Sequence, residues 1–382
     1  MNISTWYKQH YESRIKGRYV TLEQLQPIFE SYSSNVEIST VGTSEKGISI
    51  PMLKIGKGKK VVLAWSQMHG NESTTTKAVL DLLLFLDQDE YFTSEVKHFL
   101  KSYTFYVLPI LNPDGAIRYT RLNANDVDLN RDAKSRNQQE SKVLYDVFNN
   151  VEPDLCLNLH DQRTIYGLPT GLPATVSFLA PSADPSRSLT AARKKAMRHI
   201  ERMNAALQQI IPGQVGRYDD SFNENCVGDH FQQAGVPTIL FEAGHYPNDY
   251  DREKTREFIF YAFLALFKMD NLIGTSGAHM EYSNIPENQA NWKDIIIREV
   301  RPPGHQAVMS IAIQYAEELQ DDAINFVPRI DLIGNLDAFK GHVEIQGHGA
   351  TILLNSQENI AVGTEVLSIS DKNNPSITFF SA

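Results

Sequence analysis

One stretch limits what this chain can fold into more than any other. Val61-Val62-Leu63-Ala64-Trp65 is a short, apolar, partly β-branched run, and it leads into Gln67-Met68-His69-Gly70-Asn71-Glu72. Residues 74–86 follow with apolar positions at helical spacing. The first run reads as a buried strand and the last as a helix. The polar hexapeptide is then a strand-to-helix turn, with His69 and Glu72 at or just before the first helical turn. Side chains three residues apart there can aim two ligand atoms at one point. Histidine with carboxylate suits zinc. A bare His-x-x-Glu arises by chance about once in a chain of this size, so its meaning depends on what the rest supplies.

The rest supplies more strands with polar ends. Residues 36–41 and 48–55 alternate like strands around a turn at 44–47, and Thr21-Leu22-Glu23-Gln24 starts a capped helix. Residues 105–111 form a strand stopped by the turn Asn112-Pro113-Asp114-Gly115. Residues 140–148 read as a short helix, 153–160 as a strand ending in His160, and 161–185 as a long loop. A long amphipathic helix is predicted over 188–211, a strand over 236–241 ending in Glu242, and a helix over 252–269. Strands alternating with helices give an α/β class, with a mixed, mostly parallel sheet covered by helices on both faces. Ligand groups collect at the carboxyl ends of such strands. His69, Asn112, His160 and Glu242 all follow apolar strands there.

Beyond Pro302-Pro303-Gly304 the pattern changes to short strands at 308–313, 341–346, 350–354, 364–368 and 377–380. The expected organisation is a first domain over 1–280, a helical connector over 281–302 (with a capped helix at 285–300), and a small β-rich domain over 303–382. In that last domain His305, His342 and His348 are scattered and read as surface histidines.

Composition narrows the function classes. The net charge of −10 argues against a nucleic-acid or polybasic membrane binder. Two cysteines, Cys156 and Cys226, imply no disulfide framework. No apolar run reaches membrane-spanning length, and the first ten residues lack the apolar core of a secretory signal, so the expectation is a cytoplasmic enzyme or binding protein.

A hydrolytic zinc site needs three protein ligands, a general base and something to hold a developing oxyanion. His69 and Glu72 offer two ligands, and His160 at its own strand end is the natural third. Taken alone, His160 reads more readily as a hydrogen-bonded strand-end histidine than as a ligand. Glu242 stands at the rim of an apolar strand, where a bare carboxylate is costly. It must be paired, ligating or catalytic. The segment 119–132 packs arginines, asparagines and aspartates around Val127 and Leu129, and an arginine fork there matches a carboxylate.

Together these motifs resemble the zinc carboxypeptidase family of the carboxypeptidase A type, in a bacterial-like member. His69/Glu72, Asn112–115, Arg121-x-Asn123, the run Val127-Asp128-Leu129-Asn130-Arg131, His160 and Glu242 occur in the family's order, over about residues 40–270. The resemblance implies one zinc ion bound by His69, Glu72 and His160, with Glu242 as general base. It implies that Arg121 steadies the carbonyl oxygen, that Asn130 and Arg131 grip a terminal carboxylate, and that Asp128 orients a zinc histidine from behind. Tyr218 lies at about the right distance before Glu242 to be the substrate-closing tyrosine. Asp229 matches an acidic position flanking the specificity pocket.

Asp132 departs from the family pattern, since an acid follows the anion-gripping arginine. In an extended segment its side chain points away from that of Arg131. The implied activity is hydrolysis of the C-terminal amide bond of small peptides. The alternatives are an N-acyl amino acid deacylase of the aspartoacylase and succinylglutamate desuccinylase branch, and an inactive binding protein on the same fold. The implied partner is a peptide or N-acyl amino acid substrate; the oligomeric state is open.

Overall fold

A computed structural model describes residues 1–275, 280–358 and 360–382. Residues 276–279, the end of the expected first domain, lie outside the described residues. The chain forms two compact units, one of residues 1–162 and 168–288, the other of residues 163–167 and 289–382.

The first unit opens with helices α1 (Ile3–His10) and α2 (Leu22–Phe29). The latter carries the capping box between Thr21 and Gln24 read from the sequence. Strands β1 (Val36–Thr43), β2 (Ser49–Ile55) and β3 (Lys60–Trp65) precede helices α3 (Thr74–Asp87) and α4 (Thr93–Ser102). Then come β4 (Tyr103–Leu108), α5 (Pro113–Arg118), a 3-10 turn at Leu129–Arg131, α6 (Gln139–Val151) and β5 (Leu155–Asp161). The expected loop at 161–185 contains a strand, β6 (Val176–Leu179). It is followed by α7 (Ala191–Leu207), β7 (Val215–Arg217), α8 (Val227–Gln233), β8 (Thr238–Ala243) and α9 (Glu253–Leu266).

Eight strands form one sheet in the order β1-β2-β4-β3-β5-β8-β6-β7. Its centre, β4, β3, β5 and β8, is parallel, with antiparallel partners on both sides. Alternation along each central strand feeds two cores. Val62, Ala64, Leu155, Leu157, Leu159 and Phe241 join α3, α7 and α9 in one. Leu63, Trp65 and Cys156 join α6 and α8 in the other. The helices therefore cover both faces, as expected. Arg252, 1% exposed, donates to Ala243 O (2.7 Å) and Gln162 O (2.9 Å), so one guanidinium holds the carboxyl ends of β8 and β5 together.

The second unit is a six-stranded sheet in the order β11-β10-β9-β12-β13-β14. These are β9 (Trp292–Arg301), β10 (Met309–Gln320), β11 (Ala323–Gly334), β12 (Lys340–Leu354), β13 (Ser368–Asp371) and β14 (Thr378–Ser381). The expected helical connector at 281–302 is overturned. Its first part is a 3-10 turn at Tyr282–Asn284, and its second is β9, flanked by β10 and β12. Apolar residues at 292, 295, 296 and 300 imitate helical spacing. The deciding feature is the β-branched triplet Ile295-Ile296-Ile297, which is buried alternately in two clusters. The boundary accordingly moves from 303 to 289. The strands expected at 341–346 and 350–354 are one bulged strand, β12, and β11 was not expected.

The second unit also takes in residues 163–167 from the middle of the chain. Thr164 O accepts from His342 Nε2 (2.8 Å), and Thr164 Oγ1 accepts from Gln314 Nε2 (2.6 Å). Ile165 O accepts from the Trp292 N–H (3.0 Å), and Gly167 exchanges two hydrogen bonds with Gln289. His342 is thus a half-buried structural group whose ring lies 4.7 Å from that of Trp292, tilted by 38°, not the surface histidine expected; His305 and His348 are exposed.

Candidate metal centre and active site

The turn after β3 is held from several directions. Gln67 adopts a left-handed conformation (φ 43°), and its side chain donates to Val20 O (3.0 Å) and Gly70 O (2.9 Å). Gly70 is required by close approach: a Cβ there would lie 2.0 Å from the carbonyl carbon of Gly115. The Asn112–115 turn thus packs backbone to backbone against the His69 loop. Asn112 itself is a clamp rather than a ligand. Its Nδ2 donates to Met68 O (3.1 Å) and its Oδ1 caps α5 through Gly115 N (2.8 Å).

Two strand ends bring in the rest. His160 sits on the same face of β5 as Cys156, and its register partner on β8 is Glu242. Side chains of register partners on parallel strands share a face, roughly 4.8 Å apart. Asp161, pointing the other way, accepts from Thr74 N (2.9 Å) and fixes the start of α3.

His69, Glu72 and His160 offer ligand atoms that all lie within 4.8 Å of one another. Glu72 lies between the two imidazoles, with Oε1 2.8 Å from His69 Nδ1 and Oε2 2.8 Å from His160 Nδ1. The two Nδ1 atoms are 3.1 Å apart. Tetrahedral zinc with ligand distances of about 2.0–2.1 Å spaces its donors about 3.3 Å apart, so the donor set fits that ion in both chemistry and spacing. Behind it, His69 Nε2 bonds Asp128 Oδ1 (3.0 Å), which directs the Nδ1 lone pair to the cluster. Asp128 is fixed in turn, since Oδ1 caps the 3-10 turn through Asn130 N (2.9 Å).

The charges reinforce this geometry. Burial alone would raise the Glu72 carboxyl, but the imidazoles of His69 and His160 hold it far below the usual carboxylate range. Burial would likewise raise Asp128, yet the hydrogen bond from His69 and the neighbouring Arg121 keep it low. His160 is pushed down by burial. Glu242 is pushed well above the ordinary range, first by burial and then by the charges of Glu72 and Asp161. A cation in the cluster would offset that last repulsion.

Arg121 reaches the cluster. Its Nε and Nη2 donate to Asp128 Oδ2 (3.2 and 3.0 Å), and Nη1 approaches Glu72 Oε1 (3.3 Å). Asn130 Oδ1 accepts from Val227 N (3.3 Å), and Arg131 Nη1 lies 3.0 Å from Cys226 Sγ. The Asn130–Arg131 pair is thereby tied to the start of α8. Asp132 turns away, though not for the expected reason, since Leu129–Arg131 is a 3-10 turn and not an extended segment: its two oxygens accept from Asn137 N (3.1 Å) and Gln138 N (3.0 Å) ahead of α6. Asp229 is buried in the first turn of α8 and accepts from Asn223 N (3.1 Å). Burial pushes its carboxyl up to about 6. Tyr218 follows β7 at the sheet edge, two strands out from β8, and its N–H donates to Phe178 O (3.2 Å).

Sequence reasoning missed Gln67 and Arg252. No residue-type signal marks Gln67. Arg252 stands where the sequence predicts the start of a helix, and its side chain is a strand clamp.

The fold and the cluster define a class. Residues 21–235 match the zinc carboxypeptidase family (peptidase M14). That is more than half of the chain, and the chain belongs to this family; Glu242 lies just beyond the matched segment. Among curated relatives, carboxypeptidase M of Mus musculus is 27% identical over 186 residues, 42% of this chain and 42% of that protein. A metallocarboxypeptidase A-like protein of Trichophyton verrucosum is 30% identical over 120 residues, 30% of this chain and 26% of that protein. The chain thus spans less than half the length of these relatives.

Among solved structures, a metallo-carboxypeptidase from Burkholderia cenocepacia has a TM-score of 0.54 at 17% identity, covering 65% of this chain and 68% of that one. A metallo-carboxypeptidase from Pseudomonas aeruginosa in complex with (2-guanidinoethylmercapto)succinic acid has a TM-score of 0.54 at 17% identity, covering 66% and 68%. These likenesses show a shared fold. No helix among the described residues is long and apolar enough to cross a membrane.

Proposed function

We propose that this chain is a zinc-dependent metallocarboxypeptidase that hydrolyses the C-terminal amide bond of small peptides. The observation that carries the reading is the convergence of His69, Glu72 and His160 with Glu242 in register beside His160. One zinc ion held by those three residues would supply Lewis acidity and make water acidic enough to deprotonate near neutral pH. The chain's own groups do the rest. Glu242 takes the proton of the attacking water and returns it to the leaving amine. Arg121, beside Glu72 and Asp128, meets the charge that develops on the scissile carbonyl oxygen. Asp128 keeps His69 in one tautomer. Asn130 and Arg131 hold the substrate's terminal carboxylate with a bidentate fork and an amide donor. Asp132, committed to backbone N–H groups, leaves the Arg131 charge available for that task. Tyr218 is assigned no step.

The test compares kcat/KM for one peptide with a free C-terminus and the same peptide amidated. The free form should win by a large factor, because the amide leaves buried polar groups unmatched. Equal values would remove the carboxylate grip, and preferential cleavage of N-acyl amino acids would point to a deacylase instead.

A further inference from the structure

Residues 130–134 run alongside 224–227 in the opposite sense, contact by contact. Asn130 Oδ1 accepts from Val227 N (3.3 Å), and Arg131 Nη1 donates to Cys226 Sγ (3.0 Å). Ala133 N donates to Asn225 O (3.2 Å), and Lys134 Nζ meets Glu224 Oε1 (2.6 Å). Cys226 is itself fixed on both sides. Its N–H donates to Asn223 O (2.8 Å), and its carbonyl accepts from His230 N (2.9 Å).

These contacts decide which hydrogens are left for a ligand. Arg131 Nη1 carries two, and both have an acceptor: Asn130 O (3.0 Å) and Cys226 Sγ. Among the described residues, Nε and Nη2 have none. The guanidinium therefore presents its Nε–Nη2 edge, a fork that matches a carboxylate. Asn130 is set in the same way: with Oδ1 accepting from a backbone N–H, Nδ2 is the atom left to donate. The charge of Cys226 suits this arrangement. Burial pushes its thiol up, against the pull of Arg131, so at neutral pH it is an uncharged acceptor. It holds Nη1 and leaves the positive charge whole, where a carboxylate would cancel it.

We propose that Cys226 is the positioning residue of Arg131: its sulfur holds Nη1 so that the Nε–Nη2 edge meets the terminal carboxylate of the peptide. Arg131 is exposed and Cys226 half-buried. Without that anchor each substrate would have to order a long side chain, at a cost in binding. This inference rests on the carboxypeptidase reading above.

The experiment uses the full-length, zinc-loaded protein, one N-blocked dipeptide with a free C-terminus, and its amide. Cys226→Ala removes the acceptor. It should raise KM for the free acid about tenfold, the low end for one hydrogen bond to a charged group, with kcat little changed and the amide unaffected. Cys226→Ser keeps a neutral acceptor and should recover most of the loss. Cys226→Asp gives Arg131 an ion-pair partner and should raise KM beyond the alanine variant. A purely structural cysteine would instead lower turnover of acid and amide together. Zinc content reports the integrity of each variant.

A wild-type preference for the free acid that all three variants leave unchanged overturns the inference alone, and so does a loss shared equally by acid and amide. Should the alanine variant lose its zinc, serine against aspartate decides, and equal KM values for those two overturn it. Equal kcat/KM for acid and amide in the wild type, or no turnover of either, overturns this inference together with the reading it rests on.

Discussion

Glu242 and His160 stand as register partners on adjacent parallel strands, one carboxylate beside one imidazole, with Arg252 bridging the two strands just beyond them. Their separation is a sheet spacing, set by backbone hydrogen bonds rather than by a loop. Few other arrangements hold two side chains so rigidly.

The cluster should bind one zinc ion per chain. His160→Ala removes a donor and should leave little zinc after dialysis, read by metal analysis. Asp128→Asn keeps all three donors but weakens the partner of His69 Nε2. Its zinc affinity should fall about 10–100-fold. Full retention of zinc in His160→Ala would take that residue out of the ligand set.

Replacing Glu242 with Gln preserves shape and removes the base. The variant should keep its zinc and its fold while turnover falls by roughly 10²–10⁴. An active variant would place proton transfer elsewhere.

Arg121 is 46% exposed at its side chain and shared between Asp128 and Glu72. If its task is the transition-state oxygen, Arg121→Ala should cost about 10²–10³ in kcat with little change in KM. A change confined to KM would make it a substrate-binding residue.

Acid should destabilise the fold through His199 on α7. Burial first, and then Lys195, Lys268, Arg198 and Arg202, push its imidazole down to about 4. The folded form then takes up a proton less readily than the unfolded chain, whose imidazole titrates near 6.5. Stability from this group is complete above that pH and is lost as pH falls from about 6.5 to about 4. The loss has an upper bound of roughly 3 kcal/mol. His199→Gln should flatten the urea midpoint against pH over that window. An unchanged slope would clear His199 of the effect.

Much of the site was legible because its chemistry is local in sequence. His69 and Glu72 share one turn, Asp128, Asn130 and Arg131 share another, and His160 and Glu242 each end an apolar run. Strand ends of a parallel sheet gather in space whatever the loops do, so the grouping followed from the class of fold. What stayed hidden depends on contacts far apart in the chain. Gln67 and Arg252 act on the backbone carbonyls of Val20 and Gln162, 47 and 90 residues away, which leave no mark in residue type. Strand β9 shows the limit of periodicity: its apolar spacing fits a helix, while its β-branched triplet and the strands paired on both sides make it a strand.

The threading of residues 163–167 into the second unit also sets an order of events during synthesis. Thr164 leaves the ribosome 150 residues before Gln314 and 178 before His342. At usual elongation rates that delay is roughly 8–36 s. Through that interval the strand bearing His160 is already made, while the segment just beyond it has none of these partners. Domain-by-domain folding from the N-terminus, the common route for long chains, is therefore closed to this stretch. It can settle only after residue 342 has been made.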